Sequence, residues 1–235
     1  MTLPRGEFYD CGHCSIDTFF SPIMHGAASA VPLYQWRNDR MFTIETPRLI
    51  LASTPLDVMK TRIERDDFVA AVPVSIDRDG QHVSHVLSVH FVPEWSGGPL
   101  ASYPRRIAER EAHPERDEWR ESLGTIIDRA ELVAVGGMGF KDIPGEPGEA
   151  GTVEIGYDIN PSYQGRGYAT EMARAAVAWA LRQPTMRRVT AECLEDNAAS
   201  IRVLEKADFA QIGRRMDDEG PLLLWEKRAN ASELA

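Results

Sequence analysis

Residues 151–181 place the tightest limit on what this chain can form. In "GTVEIGYDIN" (151–160) Val153, Ile155, Tyr157 and Ile159 alternate with Glu154, Gly156 and Asp158, the period of a strand with one buried face. Ala169, Met172, Ala173, Ala176, Val177, Ala180 and Leu181 then recur at i, i+3, i+4 and i+7, a single apolar stripe along a helix. Arg174, Ala178 and Arg182 fall outside the stripe, and Pro184 cannot continue the helix. Between strand and helix stands "NPSYQGRGYATEM" (160–172), where Gly165 and Gly167 flank Arg166. A strand, a glycine turn and a one-sided helix in that order require a sheet for the helix to lie on. The chain is therefore α/β.

The turn itself suits an anion. The first turn of a helix has backbone N–H groups with no partner inside the helix, at the positive end of its dipole. Gly165 and Gly167 lack a Cβ, so ligand oxygens can approach the backbone. A Walker loop needs a Lys after the glycines, and none is present. A dinucleotide fingerprint fits poorly, because Thr170 stands at its last position and only Glu192 or Glu195 offers an acid near the next strand end. "GGMG" (136–139) has no helix after it and marks a bulge or tight strand packing.

The rest of the chain extends the α/β order. "FTIETPRLILAST" (42–54) alternates as a strand, and Thr54 and Pro55 read as the cap and first residue of a helix carrying Leu56, Met59 and Ile63. The Gly- and Pro-rich region 73–113 suggests a substrate-side wall or lid with short helices near 82–90 and 104–112; its His82, His85 and His90 fit no metal signature. "LGTIIDRAELVAVGGMGF" reads as two strands joined by a turn at Asp128 to Ala130. A strand at 187–193, a helix at 197–207 and strands at 209–216 and 221–228 complete the domain.

Composition excludes some classes. A formal net charge of −10 argues against a nucleic-acid binder and mildly favours a cationic substrate. No apolar run approaches a membrane span and Met1–Asp10 has no signal-peptide layout, so the expectation is a cytoplasmic protein without membrane contact. Of the 3 cysteines, Cys11 and Cys14 form a Cys-x-x-Cys pair, but no helical period surrounds it and two further metal ligands are wanting. No metal is expected. Residues 1–41 read as an extension of uncertain order, 42–228 as the main domain and 229–235 as a tail.

Two ordered motifs give the chain a family likeness. Gln164-Gly165-Arg166-Gly167-Tyr168-Ala169 fits the Gln/Arg-x-x-Gly-x-Gly/Ala signature of the GNAT N-acetyltransferase superfamily, and "NAASIRVLEKADF" (197–209) resembles its second signature. With "TPRLIL" (46–51) and "EIGYDINPSYQGRGYATEM", residues 42–228 are similar to the RimJ/RimL-type branch. Asp208 stands where that signature has Gly, and Leu204 stands near the place of a Tyr that serves many relatives as an acid.

The resemblance implies a mixed, mostly antiparallel sheet of six to seven strands flanked by helices, and transfer of acetyl from acetyl-CoA to an amine. It implies cofactor contacts from Ile159, Gln164, Gly165, Arg166, Gly167, Tyr168, Ala169, Thr170 and Asn197. Glu154 is the candidate base, and Ser200 a candidate weak proton donor. An outward-facing strand glutamate, a solvated serine, a loop arginine and a plain Asn197 N-cap are the ordinary readings of the same residues. The acceptor is a protein N-terminus or a small-molecule amine, and a homodimer is left open. The rival function is a non-catalytic acyl-CoA-binding sensor or interaction module.

Overall fold

The computed structural model describes residues 43–78, 81–98, 100–112, 123–141, 151–183 and 186–229. Cys11, Cys14 and Pro184 lie outside them, as does the 230–235 part of the tail. The elements run β1 (Thr43–Glu45), β2 (Leu49–Ser53), α1 (Leu56–Glu64), β3 (Phe68–Arg78), β4 (Gln81–Phe91), α2 (Tyr103–Ala112), β5 (Leu123–Asp128), β6 (Val133–Lys141), β7 (Thr152–Ile159), α3 (Tyr168–Leu181), β8 (Arg188–Leu194), α4 (Ala198–Lys206), β9 (Ala210–Asp217) and β10 (Gly220–Arg228).

The strands form a 10-stranded sheet in the order β1-β2-β5-β6-β7-β8-β10-β9, with the β3–β4 hairpin joined to β6 through β4. Its pairs are antiparallel except β7–β8 and β4–β6. The architecture is the mixed, mostly antiparallel sheet with flanking helices that the sequence implies, with more strands than the expected six to seven. Two segments account for much of the difference. Where one strand is expected over 42–54, residues 43–53 are a hairpin of β1 with β2. The Thr46 hydroxyl accepts from Leu49 N–H (2.9 Å) and so closes the turn around Pro47. Residues 82–90 belong to a strand and not to a helix: every residue from Phe68 to Arg78 is paired with one of β4. His85, Leu87, Val89 and Phe91 form the inner face of β4 at period two, and Val86, 68% exposed on the outer face, masks that period in the sequence.

Side-chain alternation divides the core between the two sheet faces. Leu49, Leu51, Ile126, Val133 and Val135 pack with β7 and the α3 stripe of Met172, Ala173, Ala176, Val177, Ala180 and Leu181. Their strand neighbours Ile50, Ala52, Ile127 and Ala134 join Val58 of α1 and the β3–β4 hairpin on the other side. Thr54 caps nothing: its hydroxyl pairs with that of Thr125 (2.9 Å), and α1 starts without a side-chain cap. Of the three residues expected on the buried face of α1, Met59 is buried and Ile63 is 51% exposed; Val58 and Arg62 complete that face. Among the described residues no helix is long and apolar enough to cross a membrane.

Candidate functional site

The sheet opens between β7 and β8. These strands pair in parallel only at Thr152–Arg188, Val153–Val189 and Glu154–Thr190. Beyond that point β7 stays with β6 as far as Ile159, while β8 stays with β10 as far as Leu194. The result is a wedge whose apex is Glu154 and Thr190. Parallel strands are normally paired along their length, so two facing backbone edges are left with donors and acceptors for an extended ligand.

At the mouth of the wedge is the glycine turn. Gly165 and Gly167 have φ of +75° and +80°, a conformation costly for a residue with a Cβ. A Cβ on Gly165 would meet nothing within 4 Å, so the protein itself does not fill the space above it. The first bond of α3 runs from Glu171 N–H to the Gly167 carbonyl (3.0 Å), and the amides before it have no helical acceptor. The turn is held from outside. Arg48, in the β1–β2 turn, donates to the Arg166 carbonyl (3.0 Å) and to Glu171 Oε2 (2.6 Å), and its guanidinium lies 4.8 Å from the Tyr168 ring centre. Burial pushes the Glu171 carboxyl up, but hydrogen bonds from Thr46 and Arg48 outweigh it and hold the group below its ordinary value.

On the side of β7 away from α3, Glu154 and Asp158 share one face. Glu154 is half-buried at the apex. Asp158 lies against residues 94–98, and Ser96 Oγ donates to its Oδ2 (2.6 Å). Asp158 Oδ1 is out of contact with solvent and has no hydrogen bond. Burial pushes this carboxyl up to about 6, against the Ser96 hydroxyl and the Gly137 amide, which pull it down. The 94–98 segment is fixed by Trp95 Nε1, which donates to the Gly136 carbonyl (3.0 Å), and by Tyr103 Oη, which donates to the Gly97 carbonyl (2.8 Å). Glu94 in addition accepts from the Ser162 amide (3.0 Å). Residues 94–98 thus stand as a wall beside the wedge.

The protein-family model described as the acetyltransferase (GNAT) domain matches residues 61–210, more than half of the chain. The chain belongs to this family. An uncharacterised N-acetyltransferase of Bacillus subtilis, YjdG, is 40% identical over 84 residues, 36% of this chain and 48% of its own length. The chain spans about half the length of the curated relatives it matches. A GNAT-family acetyltransferase from Bacillus anthracis superposes with a TM-score of 0.53 at 17% identity, covering 80% of this chain and 99% of that one. RimL, a ribosomal L7/L12 alpha-N-protein acetyltransferase solved with coenzyme A, gives 0.53 at 15% identity, covering 81% and 99%. These two likenesses are of fold.

Within the GNAT domain the sequence-derived residues fall in two groups. Ile159 ends β7, Gln164 to Gly167 form the turn at the wedge mouth, and Tyr168, Ala169 and Thr170 begin α3. Two of them have internal duties: Gln164 Nε2 donates to the Ile159 carbonyl (2.9 Å), and Arg166 Nη2 to the Ser162 carbonyl (3.0 Å). Asn197 and Ser200 lie at the start of α4, where Asn197 Oδ1 caps the Ser200 amide (3.0 Å). Tyr157 Oη reaches from β7 to the Ser200 carbonyl (3.5 Å), so α4 borders the wedge. Leu204 is fully buried in the core. Among the described residues no group of His, Cys, Asp and Glu is arranged for a metal. The sequence reading did not single out Arg48, Ser96 or Asp158. Arg48 stands inside the "TPRLIL" likeness, but its partner Glu171 is 123 positions away.

Proposed function

We propose that the chain is an N-acetyltransferase that moves acetyl from acetyl-CoA to a primary amine, in the manner of the RimJ/RimL-type branch. The observation that carries this reading is the wedge ending on the Gly165–Gly167 turn: an open strand edge leads to unpartnered amides with clear space above Gly165. The residues present fit the cofactor. Turn amides from Gly165 to Thr170 would hold its pyrophosphate, the β7 edge up to Ile159 would pair with its pantetheine arm, and Asn197 would stand near that arm at the start of α4. When bound, acetyl-CoA supplies an activated acyl group. The chain's part is to hold it, to offer a β7 amide to the developing oxyanion, and to take the proton of the incoming amine. Glu154, half-buried at the wedge apex, is the candidate base, and Ser200 a candidate donor in the absence of a Tyr at Leu204.

The catalytic unit would run from 42 to 228, a reading supported by one sheet path whose two ends are β1 and β9. Residues 1–41 are an N-terminal extension and 229–235 a tail. The test is release of free thiol from acetyl-CoA with primary alkylamines and with peptides bearing a free N-terminus. Acceptor-dependent release supports the enzyme. Tight acetyl-CoA binding without release on any amine would favour the sensor reading, to which the buried Leu204 lends some support.

A further inference from the structure

The Asp158 side chain takes its one full hydrogen bond from outside the sheet, from Ser96 Oγ, and has no place among the cofactor contacts. An ionised carboxylate can accept about four hydrogen bonds. Asp158 has one full bond, from Ser96 Oγ, while the Gly137 amide faces the carboxyl and Oδ1 is left with none. A buried oxygen without a donor is destabilising, and such groups persist where a ligand supplies what is missing. The strand geometry tells where that ligand would sit. Asp158 projects from β7 beyond the last β7–β8 pair, on the face opposite α3 and against the 94–98 wall. Ser96, its partner, is exposed.

We propose that the Asp158 carboxylate, reached past Ser96, binds the ammonium group of the acceptor and accepts its proton. The inference rests on the acetyltransferase reading and deepens it: the acceptor is an aliphatic primary amine that arrives as a cation. One proton passes from the ammonium to Asp158. The freed amine nitrogen forms the N–C bond to the acyl carbon as the C–S bond breaks. The nitrogen's second proton leaves with the sulfur as free thiol, and Asp158 returns its own to solvent. Asp158 thereby takes the base role in place of Glu154, which stands four residues earlier on the same face, about 13 Å back along the strand and at the apex, farther from the wall.

The groups around Asp158 are Ser96 on the loop, the Gly137 amide on β6 and Tyr103 on α2. Tyr103 is held neutral by burial, with Arg62, Arg106 and Arg110 about it. Asp158 is thus the group here placed to change charge in the weakly acidic range.

The experiment compares wild type, Asp158→Asn, Glu154→Gln and Ser96→Ala in acceptor-dependent thiol release across pH, with thermal melts on each. For Asp158→Asn the expected result is an acceptor KM raised roughly ten- to hundredfold, an unchanged KM for acetyl-CoA and loss of the acidic limb of kcat/KM. Ser96→Ala removes a hydrogen bond to the charged form, so that limb should move to higher pH. In protein labelled with 13C at Asp carboxyls, the signal absent from Asp158→Asn should titrate at lower pH when a primary amine is added. If wild type turns over amines but Asp158→Asn keeps the wild-type acceptor KM and limb, this proposal fails and the acetyltransferase reading stands. If wild type releases no thiol on any amine, that reading fails first.

Discussion

Tyr168 Oη donates to Asp128 Oδ2 across 2.5 Å, joining the first residue of α3 to the last residue of β5. The same carboxylate accepts from the amides of Ala130 (2.9 Å) and Glu131 (3.0 Å), which shapes the β5–β6 turn. Burial raises the Asp128 carboxyl, but the Tyr168 hydroxyl and those amides together hold it below its ordinary value. The start of the candidate pyrophosphate seat is therefore set by a turn forty residues upstream. Tyr168→Phe leaves that oxygen short of a donor and should cost about 1–3 kcal/mol in denaturant melts. Acetyl-CoA binding, followed by calorimetry, should weaken with it. Unchanged stability would mean the contact is solvent-compensated.

The two glycines of the turn should respond differently from ordinary glycines. Gly165→Ala adds a methyl that touches nothing in the protein, so its structural cost is the left-handed φ alone, about 1–2 kcal/mol. The same methyl would occupy the cradle. Calorimetry should show a loss of acetyl-CoA affinity larger than the loss of stability accounts for. Equal losses would remove the argument that the space above Gly165 is kept for a ligand.

Local periodicity explains which parts of this protein were legible from its sequence. Helix α3 and strand β7 carry their packing in their own spacing: the residues of the apolar stripe from Met172 to Leu181 are buried, and the alternation of β7 puts Val153, Ile155, Tyr157 and Ile159 in one core. The glycine turn was equally visible, because positive φ and helix starts leave chemical signatures. What stayed hidden depends on distant partners. Whether 82–90 is helix or strand is decided by pairing with β3, and Val86 on the outer face imitates a helical repeat. Asp158 reads as one polar residue of an alternating strand until Ser96 of a remote loop donates to it.

Gly136 should be among the least replaceable residues of the sheet. A Cβ there would lie 2.2 Å from the Asp158 carbonyl, a backbone atom that cannot move without β7. Next to it the β5–β6 register shifts, so that Ile126 faces Gly136 and Ile127 faces Ala134. The Gly136 carbonyl also accepts from buried Trp95 Nε1 (3.0 Å). Gly136→Ala should destabilise by more than about 2 kcal/mol and disturb the 94–98 wall with the sheet. Trp95→Phe should spare the sheet while loosening the wall, visible as faster amide exchange confined to residues near 94–98.

Asp158 also makes a prediction about stability that does not depend on any substrate. Its carboxyl is held up to about 6 by burial, against an ordinary 3.8. Between those values the folded protein keeps a proton that the unfolded chain has released, so stability falls as pH rises from about 4 to about 6 and is level above that. At 1.36 kcal/mol per unit, the destabilisation at neutral pH reaches about 3 kcal/mol. Asp158→Asn carries no charge at any pH, can still accept from Ser96, and escapes this loss. Denaturant melts at pH 4 and pH 7.5 should show the variant gaining on wild type as pH rises. A difference between the two proteins that is the same at both pH values would mean that Asp158 is ionised in the folded state at its ordinary pH, with water reaching the carboxyl.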